Sequence, residues 1–174
     1  MQTLVFNFSV KDVIGMGWLQ RGNYDFSNNF SQAFDSITKE CNVNNLVNRK
    51  FNSLSGGEQR RVHFARTLLQ LWRPSRSNDP RYLLLDEPTA NLDLSSEMLL
   101  MNILKSRSSQ NVGVLVILHD LNLASHFADK IAIIKDGEIR AFGEPKDVMK
   151  DDFLTSVYEV PITVQRDPLK IHYY

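Results

Sequence analysis

A single cysteine, Cys41, stands in 174 residues, so no internal disulfide can form and a reducing compartment is compatible. No histidine lies near Cys41 in the sequence, which makes it a structural thiol rather than a nucleophile. Net charge is absent too: 20 basic residues balance 20 acidic ones. No overall field would gather nucleic acid or an anionic membrane, and no nucleic-acid partner is expected. The longest apolar runs, such as Gly113–Leu118, fall far short of the roughly 20 residues that cross a bilayer. Met1-Gln2-Thr3-Leu4 lacks the basic and apolar regions of a signal peptide. A cytoplasmic protein is expected, with any membrane association made through a partner. Repeats, low-complexity segments and coiled-coil heptads are missing. So is the phosphate-loop pattern Gly-x-x-x-x-Gly-Lys-Ser/Thr. What remains, 43% hydrophobic and 23% charged residues, describes an ordinary globular chain of one domain, or of one domain and a small appendage.

The patterning changes texture near residue 78. Ahead of it the signals are helical. Ser9 caps a short helix through Met16, and Asp12 completes a capping box. Phe30, Phe34, Ile37 and Cys41 recur at helical spacing, and Leu46–Asn52 connects. Ser55 opens a strong helix with the stripe Val62, Ala65, Leu68, Leu69 and Trp72. Arg73–Arg81 reads as a loop. Beyond it, strands alternate with helices. Tyr82–Asp86, Gly113–Leu118 and Ile131–Lys135 read as strands, and Ser95–Lys105 and Leu121–Ala128 as helices. Asp136-Gly137 turns the chain into an antiparallel return at Glu138–Phe142. Glu144–Lys150 and Asp151–Tyr158 form two terminal helices, with a polar strand after Pro161. Runs such as Leu83-Leu84-Leu85 suit strands buried on both faces of a parallel sheet. Three parallel strands and one hairpin then make a thin sheet.

Two strings carry chemistry. Leu54-Ser55-Gly56-Gly57-Glu58-Gln59 joins a capping box to two glycines in the first helical turn. Each glycine costs roughly 1 kcal/mol against alanine, and each leaves an amide unshielded where a helix terminus already favours anions. A cap alone explains Ser55 and Glu58; a phosphate site explains the glycines as well. Tyr82-Leu83-Leu84-Leu85-Asp86-Glu87-Pro88 is an apolar strand ending in two acids, where open α/β sheets bind ligands. A solvated acidic turn is the plainer alternative. Asn91-Leu92-Asp93 can cap the helix that follows. His119 also stands at a strand's carboxyl end, 32 residues beyond Glu87, although a lone histidine is more often structural. His63, His126 and His172 have no such context.

In this order the two strings closely resemble the ATP-binding subunits of ABC transporters. The resemblance implies an α/β fold: a partial RecA-like core of the P-loop NTPase type, with a helical subdomain. It divides the chain into a helical subdomain with the signature motif at 1–78 and a partial catalytic core with C-terminal helices and tail at 79–174. It implies ATP and Mg²⁺ as ligands. Asp86 would hold the metal, Glu87 would be the catalytic base, and His119 the switch histidine on the γ-phosphate. Ser55, Gly56, Gly57, Glu58 and Gln59 would form the signature that closes on ATP held by a second, identical subunit, and Asp93 would lie along that dimer interface. Membrane permease subunits would be driven through the helical subdomain, with a periplasmic binding protein supplying the substrate, at the cytoplasmic face of a bacterial inner membrane.

Phe6-Asn7-Phe8-Ser9-Val10 resembles the segment just after the glutamine loop in iron-complex importers, and Trp72-Arg73-Pro74-Ser75, His119-Asp120-Leu121-Asn122-Leu123-Ala124, and Val157-Tyr158 with Val160-Pro161 resemble the haem (hemin) importers of that group. Importers of ferric siderophores or cobalamin are the alternative, and a non-catalytic remnant is another. The missing coiled-coil heptads speak against a DNA-repair or chromosome-structure member. Full-length relatives carry further residues ahead of the position of Met1, with the phosphate loop and the glutamine loop. Gln2 does not have the spacing of that loop glutamine. The chain is therefore expected to be N-terminally truncated and, alone, without ATPase activity.

Overall fold

The computed structural model describes residues 7–18, 29–72 and 80–173. Two compact units divide the chain, Met1–Val116 and Ile117–Tyr174.

In the first unit, helix α1 (Val10–Gly15) starts at Ser9, whose hydroxyl accepts the Asp12 amide while the Asp12 carboxylate accepts the Ser9 amide at 2.9 Å. The expected capping box is present. Helix α2 (Phe30–Glu40) buries Ala33, Phe34 and Ile37. Short 3-10 turns at Asn44–Leu46 and Phe51–Ser53 occupy the connector. Helix α3 (Gly56–Leu71) buries Val62, Phe64, Ala65, Leu68 and Leu69, and both α1 and α2 pack on it. The stripe read from sequence is thus the centre of this unit. Trp72 stands just past it, 5.6 Å from the ring of Trp18. Gly17, beyond the end of α1, is required by close approach: a Cβ there would lie 2.3 Å from the Arg66 carbonyl oxygen.

Strand β1 (Arg81–Asp86), helix α4 (Leu94–Ser108) and strand β2 (Val112–Ile117) follow, with β1 paired to β2. The Arg81 guanidinium donates to the carbonyls of Leu71 (3.3 Å) and Gln110 (3.1 Å), fixing the strand start between two helix ends. Arg107 and Glu40 pair α4 with α2. Burial on both faces, expected from the apolar runs, is corrected here. Leu83 and Val112 are buried, whereas Tyr82, Leu84, Leu115 and Ile117 are exposed. Side chains alternate across a strand, and among the described residues only one face is covered.

The second unit holds α5 (Leu121–Phe127), β3 (Ile131–Lys135), β4 (Glu138–Gly143), α6 (Pro145–Val148), α7 (Asp151–Tyr158), β5 (Ile162–Arg166) and β6 (Leu169–Tyr173). Leu121, Ile133, Met149, Leu154 and Ile171 are central to its core. Asp136 and Gly137 both take positive φ, as a tight hairpin turn requires, and β3 pairs with β4 from Ile131–Gly143 to Lys135–Glu138, with a bulge at Ile133–Ile134. The Asn122 amide grips β6 twice, donating to the Ile171 carbonyl and accepting its amide at 2.7 Å. The single tail strand expected from sequence is a hairpin, closed through a cis Asp167-Pro168 bond. The single thin sheet expected from sequence is likewise corrected. Among the described residues the strands pair two by two: β1 with β2 on either side of α4 in the chain, and β3–β4 and β5–β6 as hairpins whose short turns fold each strand onto its chain neighbour.

Candidate functional site

Ser55 is the N-cap of α3. Its hydroxyl accepts the Glu58 amide at 3.3 Å, and its own amide donates to the Glu58 carboxylate at 2.8 Å. Hydrogen bonds donated to the Glu58 carboxylate, first by the Ser55 amide and then by its hydroxyl, hold that carboxyl below its usual range, and Arg49 stands 3.6 Å from it. The Ser55 oxygen thus accepts from the Glu58 amide while its proton goes to the Glu58 carboxylate, and the box closes on itself. The Gln59 amide reaches back to the Leu54 carbonyl at 3.2 Å. Glu58 and Gln59 therefore brace the helix start, while Ser55 and Gly56 are exposed there.

The two glycines have no internal cause. Neither has a positive φ; a Cβ at Gly56 would meet nothing within 4 Å, and one at Gly57 would make only an ordinary 3.9 Å contact with Leu92. Their cost to the helix is offset only by what can approach from outside, and first-turn amides attract anions. Gly56→Ala is accordingly expected to stabilise the 174-residue chain by up to about 1 kcal/mol, read as a higher urea midpoint. A lower midpoint would show that the glycine serves the fold.

β1 delivers Asp86 exposed and Glu87 half-buried. Glu87 has φ 45°, in the left-handed region that glycine favours. Strain of about 1–3 kcal/mol at such a residue persists where the surroundings impose it, and it concentrates at functional sites. The turn that follows is tight: Ala90 donates to the Glu87 carbonyl, Leu92 to that of Thr89, and Asn91 is again left-handed. It leads to Asp93, the N-cap of α4. The Asp93 carboxylate accepts the Ser95 hydroxyl (2.6 Å), the Ser96 amide (2.9 Å) and the Ser96 hydroxyl (2.9 Å). Those bonds, Ser95 foremost, hold its carboxyl well below the ordinary range.

The folded-state values of Asp93 and Glu58 are both depressed, so each cap contributes fully above the ordinary carboxylate pKa. Each contribution is lost as pH falls through the folded value. Stability should therefore decline below about pH 4, and Asp93→Asn should flatten that decline in melts followed from pH 7 to pH 3. An unchanged acid limb would contradict the cap assignment.

The signature turn and the turn after β1 meet. Besides the Gly57–Leu92 approach, Arg61 on α3 donates to the Ser96 hydroxyl at 2.7 Å. The sequence shows Arg61 only as a residue off the apolar stripe; its partner lies 35 residues on, and no local pattern links the two. His119 belongs to the other unit, exposed and just ahead of Asp120, which caps α5 through the amides of Asn122 and Leu123. His63 lies edge-on to Phe51, and His126 edge-on to Phe127. Burial pushes the Cys41 thiol up to about 12, so it is inert as a nucleophile.

No group of three or more His, Cys, Asp or Glu able to hold a metal occurs among the described residues. Asp86 still fits Mg²⁺, which takes one or two carboxylates and completes its shell with water and substrate phosphates. A structural zinc or calcium cage does not fit this donor set.

The ABC transporter family model matches residues 3–90. The chain is 41% identical over 166 residues to the Hemin import ATP-binding protein HmuV of Escherichia coli O157:H7, covering 95% of this chain and 62% of that protein. With the protein of the same name from Bartonella quintana it shares 38% identity over 167 residues, 95% of this chain and 63% of the relative. The chain thus spans a little over three fifths of the length of the curated relatives it matches. Among solved structures, an ABC transporter in an inward-facing conformation aligns over all of this chain and 69% of its own, with a TM-score of 0.77 and 24% identity. An ATP-binding cassette in its ADP conformation aligns over 88% of this chain and 63% of its own, with a TM-score of 0.69 and 20% identity. These likenesses are of fold.

Proposed function

The chain belongs to the ABC transporter family, and on that premise we propose that it is the signature-bearing and acid-bearing part of an importer's ATP-binding subunit. The observation that carries this reading is the start of α3. There Ser55 and Gly56 are exposed at the first turn, and neither packing nor backbone conformation requires the two glycines. In this reading residues 1–78 form the helical subdomain and 79–174 the catalytic core. Two subunits close head to tail, so that Ser55, Gly56 and Gly57 of one clamp the γ-phosphate of ATP held by the other. Glu58 and Gln59 keep that helix end in shape, and Asp93 lies along the closing interface.

Hydrolysis asks for charge neutralisation and a placed water rather than covalent help. Glu87 accepts a proton from the attacking water as its oxygen bonds to the γ-phosphorus. The bond to the β–γ bridging oxygen breaks, and ADP leaves with that electron pair. His119 donates a hydrogen bond to the γ-phosphate. Asp86 would hold Mg²⁺, which when bound neutralises charge on the β- and γ-oxygens. No helix among the described residues is long and apolar enough to cross a membrane; in this reading, as in ABC importers, separate permease subunits form the pore. The subunit sits on them at the cytoplasmic face of the inner membrane, with a periplasmic binding protein delivering cargo. Haem is the proposed cargo, a reading supported by the relatives being hemin import ATP-binding proteins.

The test uses a joined subunit, in which the portion of the Escherichia coli O157:H7 relative that this chain does not match is placed ahead of it. The joined subunit should hydrolyse Mg-ATP and restore growth on hemin as sole iron source to cells lacking that relative. Growth on a ferric siderophore alone would reassign the cargo. Failure to bind ATP would overturn the nucleotide reading.

A further inference from the structure

Arg61 is expensive where it stands. It is half-buried, its Nε is buried without a hydrogen-bond partner, and it belongs to none of the described ion pairs. Its charge acts on the nearby Glu58 carboxylate, yet its hydrogen bond goes to a hydroxyl, a weak partner for a half-buried guanidinium. That hydroxyl is Ser96, one of only two buried polar residues recorded for the described chain. Ser96 passes the link on: its Oγ accepts from Arg61 and donates to the Asp93 carboxylate. The two bonds join the second turn of α3 to the residue that ends the turn after Glu87, and Leu92 lies against Gly57 beside them.

We propose that Arg61 is a positioning residue that acts through Ser96 to tie Asp93, and the turn between it and Glu87, to the phosphate-facing end of α3. The proposal rests on the functional reading above. When α3 closes on a partner's ATP, the Asn91–Asp93 turn moves with it, and the strained Glu87 at the other end of that turn is set against the water. Clamping and base placement become one event. Loss of the link leaves ATP held but the water poorly placed. The effect then falls on turnover rather than on affinity.

The experiment measures kcat and KM for ATP in the joined subunit, with thermal melts to confirm folding. Arg61→Met and Ser96→Ala should each lower kcat about tenfold or more with KM changed less than about twofold. The double variant should be no worse than either single one, as for residues acting in series. Arg61→Lys, which can still donate to Ser96, should recover most of the loss. Wild-type kcat in both single variants, multiplicative losses in the double, or losses that follow melting temperature alone would each overturn the proposal. Glu87→Gln run alongside separates the failures. If it hydrolyses ATP like wild type, the nucleotide reading falls and takes this one with it. If it is inactive while Arg61→Met is not, only the Arg61 link falls.

Discussion

Glu87→Gln in the joined subunit is expected to lower ATP hydrolysis by at least about a hundredfold while ATP still binds, since a positioned general base contributes roughly 10²–10⁴. The amide keeps the size of the carboxylate and removes its basicity. Steady-state phosphate release and nucleotide binding, measured on the same preparation, check this. The φ of 45° at Glu87 matters here. Glutamine pays the same backbone strain as glutamate, so the two variants differ in chemistry and not in fold. Equal turnover would mean that the half-buried carboxylate only ends the strand.

The largest effect on stability is expected at Leu69, which has no exposed surface in α3. Leu69→Ala removes buried methyl groups from the helix that both α1 and α2 pack against, a change that costs about 2–5 kcal/mol. Against a total stability of roughly 5–15 kcal/mol for ordinary domains, the urea midpoint of the 174-residue chain should fall sharply. Leu94, 73% exposed at the first position of α4, is the control, and Leu94→Ala should shift stability by less than about 0.5 kcal/mol. Equal shifts at the two positions would show that α3 is not the centre of its unit.

The parts of this molecule legible in its sequence are those written locally. Ser9 with Asp12 and Ser55 with Glu58 are capping boxes because both partners fall within one turn. Asp136-Gly137 is a hairpin for the same reason. The stripe on α3 gave the core of the first unit because helical period and burial coincide there. Burial of the strands is not legible in the same way, because an apolar run fixes how much surface a strand would bury but not whether a layer is present to cover it. Leu83 and Leu84 are chemically identical, yet one is buried and the other exposed. The tail reads as one strand in the sequence because its polar alternation continues past Asp167-Pro168, where the chain turns back. At the site, Ser55, Gly56, Gly57, Asp86, Glu87 and His119 stood out because each lies at the end of an element, where chemistry and punctuation coincide. Arg61 and Ser96 did not, since their bond spans 35 residues and exists only once α3 and α4 pack.

The central claim is that the start of α3 clamps nucleotide while the end of β1 hydrolyses it, and size-exclusion chromatography of the joined subunit with Mg-ATP tests it most directly. Glu87→Gln should run as a dimer that persists as long as ATP is present, because clamping survives and hydrolysis does not. Ser55→Arg should stay monomeric at every ATP concentration, because the side chain plugs the helix terminus. A monomeric Glu87→Gln beside a dimeric Ser55→Arg would contradict the account.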